Sequence, residues 1–234
     1  MTEKLHNRSF IFVAAFVACL AACAAMAGCS RHLPPGEHNN FHPYGVRRAT
    51  LHFEYLGDIR GSEDIYIDSF GAREAHITHS ELITPRGFRP TYTYTIRKGW
   101  HLTIVDSVRR VEVKLIDRTM DSVYHLLPSE VPTPEQEFQN IFAPQGFQRG
   151  GDTTILGLKA HLWVHRGTPG YLMEWRGIVI GSKSVDMGNE NELHLLSIDT
   201  TSPIEAARFV PPSGFPVHDL TKLGSGAPEP SMTP

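Results

Sequence analysis

Apolar and polar side chains alternate with a period of two along much of the chain, and this alternation limits the fold more than any other feature. Apolar and aromatic residues occupy every second position in four runs, at residues 51–55, 65–67, 92–94 and 111–115. Successive side chains of a strand point to opposite faces of a sheet, so the pattern is typical of antiparallel strands that bury one face. Short turn sequences such as Lys98-Gly99 separate the runs. The sequence therefore predicts a mainly β domain with meander connections.

Helical patterns are fewer, and the clearest lies at residues 133–143. Thr133 can cap such a helix, Pro134 suits its first turn, and Phe138 and Phe142 share one face. A second, shorter helical turn is expected to begin at Ser202. We therefore expect an α+β domain in which one or two helices lie against the sheet.

The first 29 residues have the order of a bacterial lipoprotein signal peptide. Lys4 and Arg8 give a positive start, residues 10–20 form an apolar stretch, and small residues then lead into cysteine. The alternatives are a plain cleaved signal peptide and a transmembrane helix, because residues 10–28 carry no charge and are long enough to span a bilayer. We favour the lipoprotein, since a spanning helix has no need of small residues around a cysteine.

Two cysteines compete as the residue that carries the lipid anchor, which we expect to include palmitate. Leu20 and the end of the apolar run favour Cys23, whereas the preceding Gly28 and the following Ser30 favour Cys29. All three cysteines of the chain lie in the signal segment. The mature domain is therefore left without a disulfide, a thiolate metal site or a cysteine nucleophile.

Composition divides the rest of the chain into three parts. Residues 30–45, rich in proline, asparagine and histidine, predict a flexible tether, residues 46–220 the folded domain, and residues 221–234 a disordered tail rich in proline and glycine. The chain has 22 basic and 25 acidic residues, for a formal net charge of −3. It therefore lacks the broad basic surface of a nucleic-acid-binding protein.

Four segments share a pattern of long strands, glycine turns and a closing segment: residues 61–74, 155–164, 174–180 and 209–215. Their order and spacing resemble the LolA/LolB-like superfamily of outer-membrane lipoprotein carriers. The resemblance implies a strongly curved antiparallel sheet that forms an incomplete barrel, with one or two helices covering its concave face. It also implies that acyl chains or an apolar peptide bind on that face. The long N-terminal helix of these carriers is absent, because strand pattern follows the tether directly.

Aromatic residues on the predicted strands are the candidates to line such a pocket. The alternative for each of them is an ordinary place in the core. The candidates are Phe53, Tyr55, Tyr92, Tyr94, Trp100, Trp163 and Trp175.

Thirteen histidines raise the question of a metal site. In a strand, His76 and His79 would point to opposite faces, whereas His161 and His165 would share one face with Trp163. No Glu-x-x-His or cysteine pattern completes either pair, and the sequence has no Gly-x-Ser-x-Gly elbow. We therefore expect no metal, no cofactor and no enzymatic activity.

The favoured function is that of a lipid-anchored envelope protein, placed by resemblance at the outer membrane facing the periplasm. It would bind a lipid, a lipoprotein acyl chain or another apolar ligand, as a membrane-bound acceptor or sensor, because a permanent anchor would hold back a shuttle. The first alternative is a protein–protein interaction module with a filled core. The second is a hydrolase or metal-binding protein that uses the histidines and the polar residues Asp106, Asp117 and Asp121.

Overall fold

A computed structural model describes residues 37–84, 87–186 and 189–222 of the chain. The signal segment and all but the first two residues of the tail lie outside these ranges. The strands are β1 Arg48–Gly57, β2 Ile59–Asp68, β3 Arg73–Thr84, β4 Gly87–Lys98, β5 His101–Asp106, β6 Val111–Ile116, β7 Phe147–Ile155, β8 Leu158–His165, β9 Tyr171–Trp175, β10 Ile178–Asp186, β11 Asn189–Asp199 and β12 Val217–Asp219. The helices are α1 Arg118–Tyr124 and α2 Pro134–Phe142, and short 3₁₀ turns lie at Ser69–Gly71, Pro128–Glu130 and Ala206–Phe209.

All twelve strands belong to one sheet, which consists of two antiparallel meanders. Strands β1 to β6 form the first meander and β7 to β11 the second, and the pairing of β1 with β11 joins them. The short β12 adds to β6 in parallel. Strands β12 and β7 form the two ends of the strand order, so over the described ranges the sheet is not closed into a barrel. The expected fold class, mainly β with an incompletely closed sheet and two helices, is confirmed.

The second meander is strongly curved, because residues of β7 and β10, which are three strands apart in the sheet, come close to each other. Neighbouring strands lie about 4.8 Å apart, so a flat sheet would separate β7 from β10 by about 14 Å. However, a Cβ atom added to Gly181 of β10 would lie 3.5 Å from Cδ1 of Ile155 of β7. The sheet therefore curls toward the face that carries Ile155, which we call the inner face.

The inner face carries the main hydrophobic core. Leu51 and Ile67 are fully buried there, and Phe53 is 1% exposed. Partners from the second meander complete the cluster, among them Ala160 and Ile180. Burial of these apolar side chains is the main contribution to the stability of the folded domain, whose sequence contains no cysteine for a disulfide.

The two helices lie against different parts of the sheet. In α1, Met120 and Tyr124 pack with Trp100 at the turn between β4 and β5. In α2, Phe138 packs on Trp163 of β8, which points away from the inner face because it alternates with Ala160. Helix α2 therefore covers the opposite, outer face at β8 and β9, whereas the family resemblance places helix over the concave face.

The last part of the expected tether is attached to the domain. Phe41 is only 2% exposed and packs on α1. The amide of Asn39 donates to the carbonyl oxygens of Val123 at 2.8 Å and Leu126 at 2.9 Å. Residues 39–45, which belong to the expected tether, are thus attached to the domain, because Phe41 supplies an apolar anchor.

None of the helices in the described ranges has both the length and the apolar character needed to cross a membrane.

Candidate functional site

The structure distributes the seven aromatic candidates over both faces of the sheet. Phe53, Tyr55 and Trp175 lie on the inner face with the core or beside it. Tyr92 and Tyr94 lie on the outer face of β4, where Tyr94 pairs with Ile77, and Trp163 lies on the outer face of β8. Trp100 lies in a turn against α1. These seven side chains therefore do not surround one cavity.

One row of paired residues crosses six strands on the inner face and leads from the buried core to a partly exposed surface. In register, the row consists of Leu51, Ile65, His76, Thr95, Ile104 and Val113. The first two members are buried, whereas the last four are only partly buried. The inner face of β4 to β6 is thus a partly exposed surface with aliphatic side chains, and His76 lies at the boundary.

His76 at this boundary is held between two buried carboxylates. Its Nδ1 lies 2.8 Å from Oε1 of Glu63, and its Nε2 lies 2.7 Å from Oε1 of Glu74. Glu63 is 8% exposed and Glu74 only 3%. The hydroxyl of Tyr55 donates to the second oxygen of Glu63 at 2.6 Å. The strand register explains the cluster, because alternate residues of β2 and β3 share the inner face.

The same cluster continues toward α1 through an arginine. Nε of Arg97 lies 3.3 Å from Oε2 of Glu74, and its Nη1 lies 3.3 Å from Oδ2 of Asp117. The other oxygen of Asp117 accepts from the backbone N–H of Met120 and caps α1. Tyr44, just before β1, donates its hydroxyl to Glu74 at 2.6 Å. We call these seven residues the Glu74 network: Tyr44, Tyr55, Glu63, Glu74, His76, Arg97 and Asp117.

The charges of the Glu74 network fix its protonation states. Burial by itself raises the pKa of Glu74, but the charges of His76 and Arg97 outweigh it and lower that pKa to about 2. For His76, burial opposes the charged form, yet the charge of Glu74 and the hydrogen bonds to both carboxylates raise the pKa to about 10. Burial, followed by the neighbouring carboxylates, raises the pKa of Tyr44 and Tyr55. At neutral pH His76 is therefore an imidazolium that donates from both ring nitrogens.

Such a network is suited to holding strands and α1 in place. Both nitrogens of His76 are already bonded, so its proton is not available to a substrate. Glu74 accepts from Tyr44 and His76 and pairs with Arg97, so its lone pairs are similarly engaged. We assign the Glu74 network a structural role at the border of the open surface.

A cleft of about 550 Å³ lies on the outer face between α2 and strands β7 and β8. We call it the α2 cleft. Helix α2 begins with a reciprocal cap in which Gln136 N–H donates to the hydroxyl of Thr133 and Thr133 N–H donates to the side chain of Gln136. Phe138 then fixes the helix on Trp163, with ring centroids 5.3 Å apart. The side chains of α2 and the sheet thus face each other across the cleft.

The α2 cleft has a polar lining of mixed charge. Glu135 and Gln139 come from α2, Arg149 from β7, His161 and Trp163 from β8, and Arg166 from the turn after β8. At the rim, Asp152 accepts from Arg149 at 2.9 Å and from Nδ1 of His161 at 2.8 Å. Of the residues that line the α2 cleft, only Trp163 is among the aromatic candidates predicted from the sequence. The others could not be predicted, because sequence alone does not show which helix covers which strands.

The two histidines proposed as a shared-face pair do point to the same side but have separate partners. His161 pairs with Asp152, whereas Nδ1 of His165 accepts from the backbone N–H groups of Gly167 and Thr168. Nε2 of His165 lies 3.0 Å from the carbonyl oxygen of Gln145. In the part of the chain that the structure describes, no three His, Cys, Asp or Glu side chains are placed to hold a metal ion.

The chain has weak likenesses to known structures. The chain matches no protein-family model and no curated protein. Among solved structures, an uncharacterized conserved protein from Thermus thermophilus is similar with a TM-score of 0.44 and 9% identity, over 77% of this chain and 94% of that one. LprF from Mycobacterium bovis gives 0.34 and 10%, over 74% and 92% of the two chains. PNGF-II gives 0.40 and 10% over 74% of this chain and only 32% of its own. At these values the likenesses carry no argument about what this chain binds.

Proposed function

We propose that the protein is a lipid-anchored, non-enzymatic lipoprotein of the bacterial envelope, of the LolA/LolB-like type, that binds a lipid, an acyl chain or another apolar ligand. The observation that carries the proposal is the row from Leu51 to Val113, which continues the sealed core into a partly exposed surface on β4 to β6. An apolar chain laid on that surface would remove Ile104 and Val113 from water. Burial of apolar area is favourable by about 25 cal/mol per Å².

The anchor is proposed from the sequence and tested by metabolic labelling. Bacteria that express the full chain are fed radiolabelled palmitate, and the purified protein is examined for label. Cys23→Ala or Cys29→Ala should abolish labelling, depending on which cysteine is acylated. Cys19→Ala is the matched control, because Cys19 lies within the apolar run, and it should leave labelling intact. Persistence of full labelling in the Cys23→Ala/Cys29→Ala double variant would contradict the proposed anchor.

The ligand surface is tested with two neighbouring residues of β5 that point to opposite faces. Ile104→Glu places a charge on the inner surface, where an apolar ligand would have to desolvate it. Thr103→Glu places the same charge on the outer face. We expect Ile104→Glu to reduce co-purified or added fatty acid by about tenfold, which corresponds to about 1.4 kcal/mol, and Thr103→Glu to leave it unchanged. Equal binding of fatty acid by both variants would contradict a ligand site on the inner surface of β4 to β6.

The packed part of the inner face favours one alternative. Residues from β1, β2 and β8 to β11 already fill it, with Leu51, Ile67 and Ile180 fully buried. If the surface at β4 to β6 takes no apolar ligand, the protein is better interpreted as an interaction module of the envelope. The location at the outer membrane and facing the periplasm is part of the proposal and follows from the resemblance.

A further inference from the structure

One end of the first meander carries both the turn between β4 and β5 and the segment through which the chain enters the domain. A row of paired residues from Arg48 of β1 to Ile116 of β6 crosses the six strands at this end. The backbone N–H of Asp117 donates to the carbonyl oxygen of Trp100 in the turn at 2.8 Å, and Phe41 of the entering segment packs on α1. We call this end of the sheet the entry end.

The entry end presents a tryptophan beside three histidine rings. Trp100 is partly exposed, and His38 and His101 are exposed. The centroid of the Trp100 ring lies 5.7 Å from that of His38, 5.6 Å from that of His101 and 5.4 Å from that of His125. Tryptophan and histidine rings combine an apolar body with a polar N–H group, which suits the headgroup layer of a bilayer. We call these four residues the Trp100 cluster.

The length of chain between the proposed anchor and the domain limits which end can face the membrane. Glu37, where the described structure begins, follows Cys29 by eight positions and Cys23 by fourteen. A chain spans at most about 3.6 Å per residue, so the reach is at most about 29 Å from Cys29 and about 50 Å from Cys23. This reach is measured from the entry end, because the neighbouring His38 lies beside Trp100.

The opposite end of the sheet also carries an exposed aromatic residue, but it lies at or beyond the limit of this reach. Phe88, which is 68% exposed, follows the turn between β3 and β4. Strand β3 has 12 residues and rises about 3.3 Å per residue, so this turn lies about 40 Å from the entry end. A tether from Cys29 does not bridge that distance, and one from Cys23 does so only when almost fully stretched. The tether therefore favours the entry end.

We propose that the Trp100 cluster contacts the surface of the lipid bilayer to which the chain is anchored, with the indole ring at the level of the headgroups. The inference rests on the lipid anchor of the proposed function and adds to it a fixed orientation of the domain. In this orientation α1 lies beside the bilayer, and the turn between β3 and β4 points away from it.

Quenching of tryptophan emission by brominated lipid tests the contact. The acylated full chain is reconstituted into vesicles of phosphatidylethanolamine and phosphatidylglycerol, and flotation with the vesicles shows whether the anchor holds. Matched vesicles with brominated acyl chains quench indoles that lie at the bilayer. Because Trp100 is one of three tryptophans, we expect the emission to fall by up to roughly a third. Trp100→Phe should remove this quenching, whereas Trp163→Phe, at a buried position, should retain it.

A tryptophan added at each end of the sheet gives a matched control. His101→Trp, in the Trp100 cluster, should add emission that brominated lipid quenches. Phe88→Trp, at the opposite end, should add emission that it does not quench. Both positions are exposed, so this pair replaces Trp100→Phe if that variant fails to fold.

The outcomes separate this contact from the proposed anchor. A chain that floats with the vesicles but is not quenched by brominated lipid keeps the anchor and overturns the contact. Quenching that persists in Trp100→Phe and is lost in Trp175→Phe would report lipid on the inner face instead, and it also overturns the contact. Quenching of the tryptophan added by Phe88→Trp would place the opposite end on the bilayer. A chain that does not float lacks the anchor, and the inference fails with it.

Discussion

Nε2 of His76 lies 2.7 Å from Oε1 of Glu74 on the inner face of the sheet, and the carboxylate is almost completely buried. The pair joins adjacent residues of one face of β3, and Glu63 and Arg97 extend it to β2 and β4. Because the charge of each partner stabilises the charged form of the other, the pair couples the stability of three strands to pH.

The first prediction concerns stability above neutral pH. The pKa of His76 is raised from 6.5 to about 10, so its contribution is fully present below pH 6.5 and is lost as the pH rises toward 10. We expect the free energy of unfolding to fall by up to about 5 kcal/mol across this interval, since each pKa unit corresponds to about 1.4 kcal/mol. Urea unfolding at several pH values measures it.

The acidic side of the same profile follows from Glu74. Its pKa is lowered from 4.5 to about 2, so its contribution is present above pH 4.5 and is lost as the pH falls toward 2. Stability should therefore be greatest between these two windows. His76→Gln should flatten the profile above pH 6.5, and a variant profile parallel to that of the wild type would show that His76 does not carry the effect.

The second prediction concerns Arg97, whose side chain is 15% exposed and pairs with Glu74 and Asp117. Arg97→Met removes the cation that two buried carboxylates share and leaves Glu74 with His76 alone, which should reduce the free energy of unfolding by about 3–5 kcal/mol. Chemical denaturation measures the loss. Arg73→Met is the control, because Arg73 is 46% exposed and pairs with Asp68 at the surface, and it should lower stability by about 1 kcal/mol or less. Equal losses would contradict the role given to the buried network.

The third prediction compares two glycines in equivalent turns. Leu156-Gly157 and Arg176-Gly177 each have positive φ at both residues and connect adjacent strands. A Cβ on Gly177 would lie 2.7 Å from the carbonyl oxygen of Pro43 and 3.0 Å from Cβ of Pro134. Among the residues that the structure describes, a Cβ on Gly157 meets no atom within 4 Å. Gly157→Ala should lower stability by about 1 kcal/mol through the backbone alone.

Gly177→Ala should add a steric loss of about 2 kcal/mol or more to that backbone effect. Thermal unfolding of the two variants side by side gives the difference. In the wild type, the close approach holds the start of α2 and the segment before β1 on the same turn. Amide hydrogen exchange in α2 should therefore be faster in Gly177→Ala than in the wild type. Identical midpoints for both variants would show that this contact does not fix α2.

The fourth prediction concerns the attachment of α2. Phe138 is 3% exposed and packs on Trp163 and Leu172, so Phe138→Ala should lower the free energy of unfolding by about 3–4 kcal/mol. Gln139→Ala, at the next and exposed position, should change it by less than about 0.5 kcal/mol. Guanidinium unfolding monitored by tryptophan fluorescence reports both. A small loss for Phe138→Ala would mean that α2 is held mainly by its other contacts.

Much of the architecture could be predicted because alternation and caps are local signals. The runs around Leu51 and Val111 became strands, and the cap at Thr133 begins α2. The turn expected from Ser202 is a 3₁₀ turn at Ala206–Phe209, with Phe209 buried on the outer face. Alternation also places His76 and His79 on opposite faces, with His79 stacked near Tyr92.

The sites were not predictable to the same degree, because they depend on which strands pair and where helices dock. In the sequence, Asp117 stands out only as a polar residue, yet it caps α1, a helix that the sequence pattern does not reveal. Glu63, Glu74 and Arg97 come together only through the register of β2, β3 and β4. The α2 cleft arises from the docking of α2 on β8, and the linear pattern of α2 does not specify a partner strand.

The most direct test of the proposed function is native mass spectrometry of the purified full chain, followed by organic extraction of anything that it releases. We expect a mass that includes the N-terminal acyl anchor and, in addition, a stoichiometric lipid or acyl species that is lost on unfolding and reduced in Ile104→Glu. A chain that carries no bound apolar species, even after incubation with lipid and lipopeptide, would contradict the proposed ligand and favour the interaction module.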